Sequence, residues 1–306
     1  MARARLRGVV LGAVVLMLTG CSVKRLAVRT LGNALAGGAD VYATDDDPEL
    51  VAGALPFALK TIEALLAQDP ENRQLLLAAA SGFTQYAYAF VQQEADFVEE
   101  SDLERATALR ERARRLYARA LGYGWRALEV DFPGLRARMQ REPAAAAREL
   151  GGLRREHVPL LYWTASPWAA AIALAVDDAE MSADLAVVEA MMRRALELDE
   201  AWDLGALHDF FLAYEGSRAS VGGSLEKARE HFDRAMALAH GRRVGPLVSL
   251  AETVAVGTQD RAQFQSLLAE ALAFDPGAAP PQRLANEIAQ RRARWLLAHI
   301  DELFIE

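Results

Sequence analysis

A single cysteine, Cys21, is present in a chain of 306 residues, so no intrachain disulfide is available and the fold must rest on packing. Long hydrophobic runs are also missing. The one apolar run of note, close to the N-terminus, is about a dozen residues long, short of the roughly 20 that a membrane-spanning helix needs. The chain has no His-Glu-x-x-His, no glycine-rich phosphate loop and no Gly-x-Ser-x-Gly, and its five histidines (157, 208, 231, 240 and 299) show no metal-ligand spacing. With 42 acidic residues, any Asp or Glu pair is uninformative about catalysis. The expectation is a protein that is not an enzyme and holds neither cofactor nor metal. Basic residues are outnumbered, 34 Lys and Arg against 42 Asp and Glu, which argues against nucleic acid as a partner. Alternating polar and apolar residues bounded by hairpin turns are absent as well, so no sheet is expected.

What is present begins with a leader. Arg3, Arg5 and Arg7 precede the apolar run, which closes on Leu18-Thr19-Gly20-Cys21. A basic start, an apolar middle and small residues before a cut form a secretory signal. Leu-Thr-Gly-Cys resembles a bacterial lipobox, in which the Cys21 sulfur takes a diacylglycerol and cleavage leaves an acylated N-terminus. The expected division is a signal peptide at 1–20, a lipid-anchored tether and first helical segment at 21–44, and one helical domain at 45–306. Removing the leader leaves 31 basic residues against 42 acidic ones. Several acyl chains at about 0.8 kcal/mol per buried CH₂ hold such a protein on a membrane. Ser22 after the cysteine, where an Asp would retain the protein at the inner membrane, favours the outer membrane, periplasmic side.

The remainder reads as helix. Ala, Leu, Arg and Glu dominate, and apolar residues recur at three- and four-residue steps. Over 54–68, Leu55, Leu59, Ile62, Leu65 and Leu66 share a face, after an Asp47-Pro48 start. Over 106–128, Leu109, Ala113, Leu116, Ala120 and Leu121 do the same. Four segments end alike, at Ala64-Leu65-Leu66-Ala67-Gln68-Asp69-Pro70, Ala127-Leu128-Glu129-Val130-Asp131, Ala195-Leu196-Glu197-Leu198-Asp199 and Ala271-Leu272-Ala273-Phe274-Asp275-Pro276. Such endings close tetratricopeptide units. Asp131 and Asp199 stand 68 positions apart, two units of about 34 residues. Ala228, Phe232 and Ala235 carry the second-helix spacing of another unit. The fold expected is all-α, an α-α superhelix of degenerate tetratricopeptide-like hairpins, with Leu196 and Leu272 buried between helices. Residues 97–102 read as a longer acidic connection, and 215–223 as a flexible loop before a Ser224 cap.

Three stretches carry more aromatic and polar groups than a plain repeat needs. The first holds Phe83, Gln85, Tyr86, Tyr88 and Phe90. The second holds Tyr162, Trp163 and Trp168 around Ser166-Pro167, a pair that either caps a new helix running to Val176 or kinks a longer one. The third holds His208, Phe211, Tyr214 and Glu215. Ordinary core packing accounts for each of them. The alternative is a ligand cavity, since buried phenols require partners that a wet or occupied pocket supplies. On that alternative the candidate ligand-binding residues are Tyr86, Tyr88, Tyr162, Trp163, Trp168, His208, Phe211, Tyr214 and Glu215.

The segments 75–92 (Leu-Leu-Leu-Ala-Ala-Ala-Ser-Gly-Phe-Thr-Gln-Tyr-Ala-Tyr-Ala-Phe-Val-Gln), 161–164 (Leu-Tyr-Trp-Thr), 205–208 (Gly-Ala-Leu-His) and 289–297 (Ala-Gln-Arg-Arg-Ala-Arg-Trp-Leu-Leu) resemble the T component of TRAP transporters, the TatT family of tetratricopeptide-type lipoproteins. The likeness spans about residues 45 to 304, with Ser166-Pro167-Trp168 as a local departure. It implies a periplasmic helical protein that pairs with a DctP-like substrate-binding protein and, through it, with a TRAP permease. It further implies a homotrimer whose protomers each contain a pore or cleft for hydrophobic or organic-acid ligands. A scaffold lipoprotein for envelope assembly, with no small ligand, is the alternative.

Overall fold

Helix N-caps set the frame of the computed structural model, which describes residues 39–175 and 179–305. The signal peptide, Cys21, Ser22 and Val176 lie outside the described residues. After a short α1 (Ala39–Ala43), the Asp47 carboxylate accepts the Leu50 N–H at 2.9 Å and Pro48 begins α2 (Pro48–Leu66). Asn72 caps α3 (Arg73–Ala87), and Asp102 caps α5 (Leu103–Asp131) through the Arg105 N–H at 2.9 Å. In each case a side-chain oxygen takes one of the four amide donors a helix leaves unbonded. Between α3 and α5 the rod continues through a π turn, Tyr88–Gln92, into α4 (Gln93–Val98). The expected acidic connection is therefore only residues 99–102, because 97 and 98 are still helical.

At 29 residues, about 44 Å of rise, α5 is the spine. One side of it packs on α3 and another on α8 (Val158–Ala173), after α6 (Leu135–Arg141) and α7 (Ala146–Glu149). Gly124 marks the crossing with α8. A Cβ there would meet Thr164 Oγ1 at 2.4 Å and its Cα at 2.9 Å, so only glycine lets the two backbones approach this closely. Pro167 lies inside α8, which runs on unbroken. Of the two readings of Ser166-Pro167 the longer helix holds, with the Trp163 carbonyl left without its usual amide donor.

The chain continues through α9 (Ala179–Ala183), α10 (Leu185–Leu198), α11 (Ala206–Ser217) and α12 (Leu225–Ala239). It then forms α13 (Gly245–Leu250) with a second π turn (Ala251–Ala255), α14 (Arg261–Ala273), α15 (Arg283–Ala298) and α16 (Ile300–Leu303). Among the described residues there is no strand. Successive helices pack on one another, giving the all-α superhelix, and all four repeated endings terminate helices. Helix α11 extends through Glu215, so the loop before the Ser224 cap is shorter than its sequence suggests.

Two hydrophobic clusters make the core, one from α2 through α11 and one from α11 through the C-terminus. Phe211 serves the first and its neighbour Leu212 the second. Leu196 and Leu272 are only partly buried, contrary to expectation, while Ala195 and Ala271 beside them are fully buried. The tightest helix approach falls on the alanine, and the leucine one residue on is turned about 100° toward the rim. The arc also returns on itself, since α15 lies against α1 and α2. It is tied to α4 by Arg292 to Asp96 at 2.9 Å, Arg291 to Glu94 at 3.4 Å and the Phe97–Trp295 ring contact at 5.8 Å.

Candidate functional site

Both π turns border Arg292 of α15, which acts on Tyr88 in the first and donates to Glu252 in the second. A π turn inserts a residue into a helix and re-aims the side chains after it, which is why such turns concentrate at functional sites. Tyr88 opens the first. The residue is 48% exposed, yet burial, helped by Glu252, pushes its phenol up to about 12, with Arg292 opposing. Both observations hold for a side chain standing in a recess, where protein surrounds the hydroxyl while solvent still reaches the ring. Tyr162, from α8, is half-buried, and its phenol is likewise raised to about 12 by burial, with Arg243 opposing and Asp209 and Asp203 adding to the shift. Hydrogen bonds link the two regions: Arg292 ties Asp96, near Tyr88, to Glu252, and Ser249, three residues before Glu252, donates to Asp209, which Arg243 joins to the Asp203 carbonyl beside Trp202.

The charged groups of that recess are already engaged. Arg243 donates to Asp209 at 3.2 Å and to the Asp203 carbonyl at 3.3 Å, and the Ser249 hydroxyl donates to Asp209 at 3.1 Å. Arg292 donates to Asp96 and, from its other terminal nitrogen, to Glu252 on the second π turn. Burial works against the Arg292 charge, but those two carboxylates more than offset it and its pKa is raised. Aromatic faces form one wall, where the Tyr162 ring lies 4.7 Å from Trp202 and 4.9 Å, edge-on, from Trp163. Beside each phenol stands a buried polar group. The Gln93 carboxamide faces Tyr88 and the Ser166 hydroxyl faces Tyr162, and neither makes a hydrogen bond of regular geometry within the protein.

The nine aromatic and polar candidates thus fall into three places. Tyr88, Tyr162 and Trp163 belong to the recess. Tyr86 and Trp168 sit in the core, the first taking a bond from Arg112 at 3.2 Å and the second edge-on to Trp125 at 5.7 Å. His208, Phe211, Tyr214 and Glu215 form a separate network among α10, α11 and α12. There the Tyr214 hydroxyl donates to Glu189 at 2.9 Å, and Arg193 lies 4.0 Å from the buried Glu215. The recess residues that sequence reasoning missed are Gln93, Asp209, Glu252, Arg243 and Arg292. Asp209 and Arg292 fall beside or within the 205–208 and 289–297 segments, which was the available signal.

Within the second network, Nδ1 of His208 and Nδ1 of His231 are 2.8 Å apart, while His208 Nε2 meets Glu200 at 3.0 Å. Two ring nitrogens so close share one proton. Hydrogen bonding from Arg234 holds Glu200 down to about 2, and His231, stacked on Phe211, is lowered by burial and by His208 to about 4. An imidazole depressed in the fold is protonated first in the unfolded chain. Its contribution is intact above the ordinary value near 6.5 and is lost as pH falls toward 4. Allowing for partial exposure of the ring, the loss is about 1–2 kcal/mol. Urea unfolding at pH 7.5 and at pH 5 should show it, and His231→Asn, whose amide takes the place of Nδ1 beside His208 without titrating, should remove that part of the pH dependence. An unchanged pH dependence in the variant would contradict this assignment.

Glu100, His299 and Glu302 bring three ligand atoms within 4.8 Å of one another at the surface, but exposed acids group in this way without an ion. Among the described residues no helix is long and apolar enough to cross a membrane.

The model of one family, the TRAP transporter T-component, matches residues 44–304. An uncharacterised protein of Treponema pallidum (strain Nichols) is 32% identical over 307 residues, covering 95% of each chain. The match spans both clusters of the core, both π turns and every residue of the recess. The chain belongs to the TRAP transporter T-component family, and through it to the accessory components of TRAP uptake systems.

Proposed function

We propose that this chain is a lipid-anchored accessory lipoprotein on the periplasmic side of the outer membrane, a homotrimer that docks a DctP-like substrate-binding protein. In this reading the Tyr88–Tyr162 recess holds the solute on its way to or from that partner, and no step is catalytic. The observation that carries it is the recess itself. Two raised phenols, Tyr88 with the buried Gln93 carboxamide beside it and Tyr162 with the buried Ser166 hydroxyl beside it, come from two distant segments of the chain, and neither the carboxamide nor the hydroxyl makes a hydrogen bond of regular geometry. A packed core avoids unsatisfied polar groups, because each costs about 1–3 kcal/mol, whereas a binding site keeps them for its ligand. The superhelix also provides an extended surface of the kind repeat proteins use for docking.

The test is affinity capture of the tagged full-length chain from membranes of its own organism, with palmitate labelling and identification of the captured proteins. A DctP-like binding protein should be enriched and the chain should be labelled. Cys21→Ala should abolish labelling and leave the protein either uncleaved or soluble in the periplasm. Enrichment of envelope-assembly proteins in place of a solute-binding protein would contradict the docking proposal, and equal labelling of the Ala variant would contradict the anchor.

A further inference from the structure

One face of α5 runs against the charge of the whole chain, which has 42 acidic residues to 34 basic ones. Arg112, Arg115, Arg119 and Arg126 stand exposed there, at steps of three, four and seven. That spacing keeps them within an arc of about 60° over about 21 Å of helix. We infer, on the reading that the chain docks a substrate-binding protein, that this arginine row is the docking surface and that the partner meets it with an acidic face.

Aromatic rings hold the row in place. Arg112 lies over Tyr86 at 5.8 Å, Arg119 over Phe83 at 5.3 Å and Arg126 over Tyr123 at 5.4 Å. Phe83 and Tyr123 are themselves stacked, 5.9 Å apart. A guanidinium already held over a ring gives up less freedom on meeting a carboxylate, which its fork of N–H donors can grip at two points. Two of the four have only uncharged acceptors. Arg112 donates to the Tyr86 hydroxyl at 3.2 Å and Arg126 to the Pro70 carbonyl at 2.8 Å, and among the described residues neither is paired with a carboxylate. Arg119 shares Glu63 with Lys60, and Arg115 shares Glu111 with Arg114. Each of those carboxylates serves two cations, so the face keeps a net positive charge.

Between Arg112 and Arg126 no large apolar side chain is exposed. A permanent interface between subunits centres on apolar surface, and a helix lying on a membrane needs apolar side chains to enter the leaflet. A row of charges without such a centre suits a partner that binds and leaves, because charge complementarity acts chiefly on association rate and register. In the docking reading the binding protein must also leave for the permease.

The test passes purified DctP-like binding protein of the same organism over the full-length lipoprotein in phosphatidylcholine nanodiscs, with association followed by surface plasmon resonance. Arg112→Glu/Arg126→Glu should slow association at least about tenfold at about 50 mM salt, and the gap should narrow at about 500 mM. Arg112→Gln/Arg126→Gln, which removes the charges without reversing them, should fall between variant and parent, and both should keep the helical circular dichroism. Lys227→Glu/Arg261→Glu changes the net charge equally, at the starts of α12 and α14 where a carboxylate suits the helix. It should associate within about twofold of the parent, since exposed charges beyond a Debye length are screened. A row variant as fast as the parent would overturn the inference and leave docking itself standing, whether the row then proves to join copies of this chain or to bind phosphatidylglycerol vesicles. A control variant slowed as much as the row variant would overturn it too, by showing an effect of net charge alone. A parent that does not bind the purified protein would remove the docking reading and this surface with it.

Discussion

Trp125→Ala should cost about 3–5 kcal/mol of unfolding free energy, the range for emptying a buried tryptophan site. The indole is 2% exposed, sits where α5 packs on α8 and meets the edge of Trp168 at 5.7 Å. Gly124 next to it fixes how close those helices come, so the surrounding backbone cannot collapse to fill the space. Trp125→Phe should cost clearly less. The indole Nε1 has no hydrogen-bond partner, so the change removes volume without breaking a bond. Denaturant midpoints of the two variants check this. Equal losses for Phe and Ala would show that the nitrogen, not the volume, matters at this position.

Arg292→Met should have the second-largest effect, about 2–3 kcal/mol. That is less than the 3–5 kcal/mol typical when one partner of a fully buried pair is removed, because Glu252 and Asp96 keep 37% and 24% of their side-chain exposure. Asp96 would retain Arg110 at 3.1 Å, while Glu252 would be left uncompensated near the Tyr88 phenol. The loss should appear as loosening of the contact that brings α15 back onto α4, with faster amide exchange over 283–298 than over α5. Adding Glu252→Gln should recover part of it, since the stranded charge is then gone. A single variant as stable as the parent would mean that the Phe97–Trp295 packing and the Arg291–Glu94 pair hold the seam without Arg292.

Much of the architecture was legible because it is written locally. Asp47-Pro48 predicts the start of α2 from two adjacent residues, and the three Ala-Leu-x-x-Asp endings, with the related Leu65-Leu66-Ala67-Gln68-Asp69, predict where helices stop from five. The face toward the core is less secure at those endings. A one-residue step turns the chain by about 100°, which exchanges Leu196 for Ala195 and Leu272 for Ala271. Ser166-Pro167 left two readings open in the sequence, a new helix or a longer one, and packing of α8 against α5 goes with the longer helix.

The recess was only half legible. Tyr88 and Tyr162 stand out as phenols among apolar residues, but Gln93, Asp209, Glu252 and Arg292 come from four separate helical regions and meet only through the closure of the arc. Neither π turn has a sequence signature that separates it from ordinary helix. His208 and His231 likewise become a pair across 23 positions, by the packing of α11 on α12.

The central claim is that the recess holds a solute while the outside of the same chain docks its partner. Native mass spectrometry of the full-length lipoprotein, captured with its binding protein from its own membranes, tests it most directly. The parent should carry a small molecule at one per protomer. The Tyr88→Ala/Tyr162→Ala double variant should lose that mass and still capture the binding protein. A parent without any bound small molecule, or a double variant that retains it, would contradict the claim.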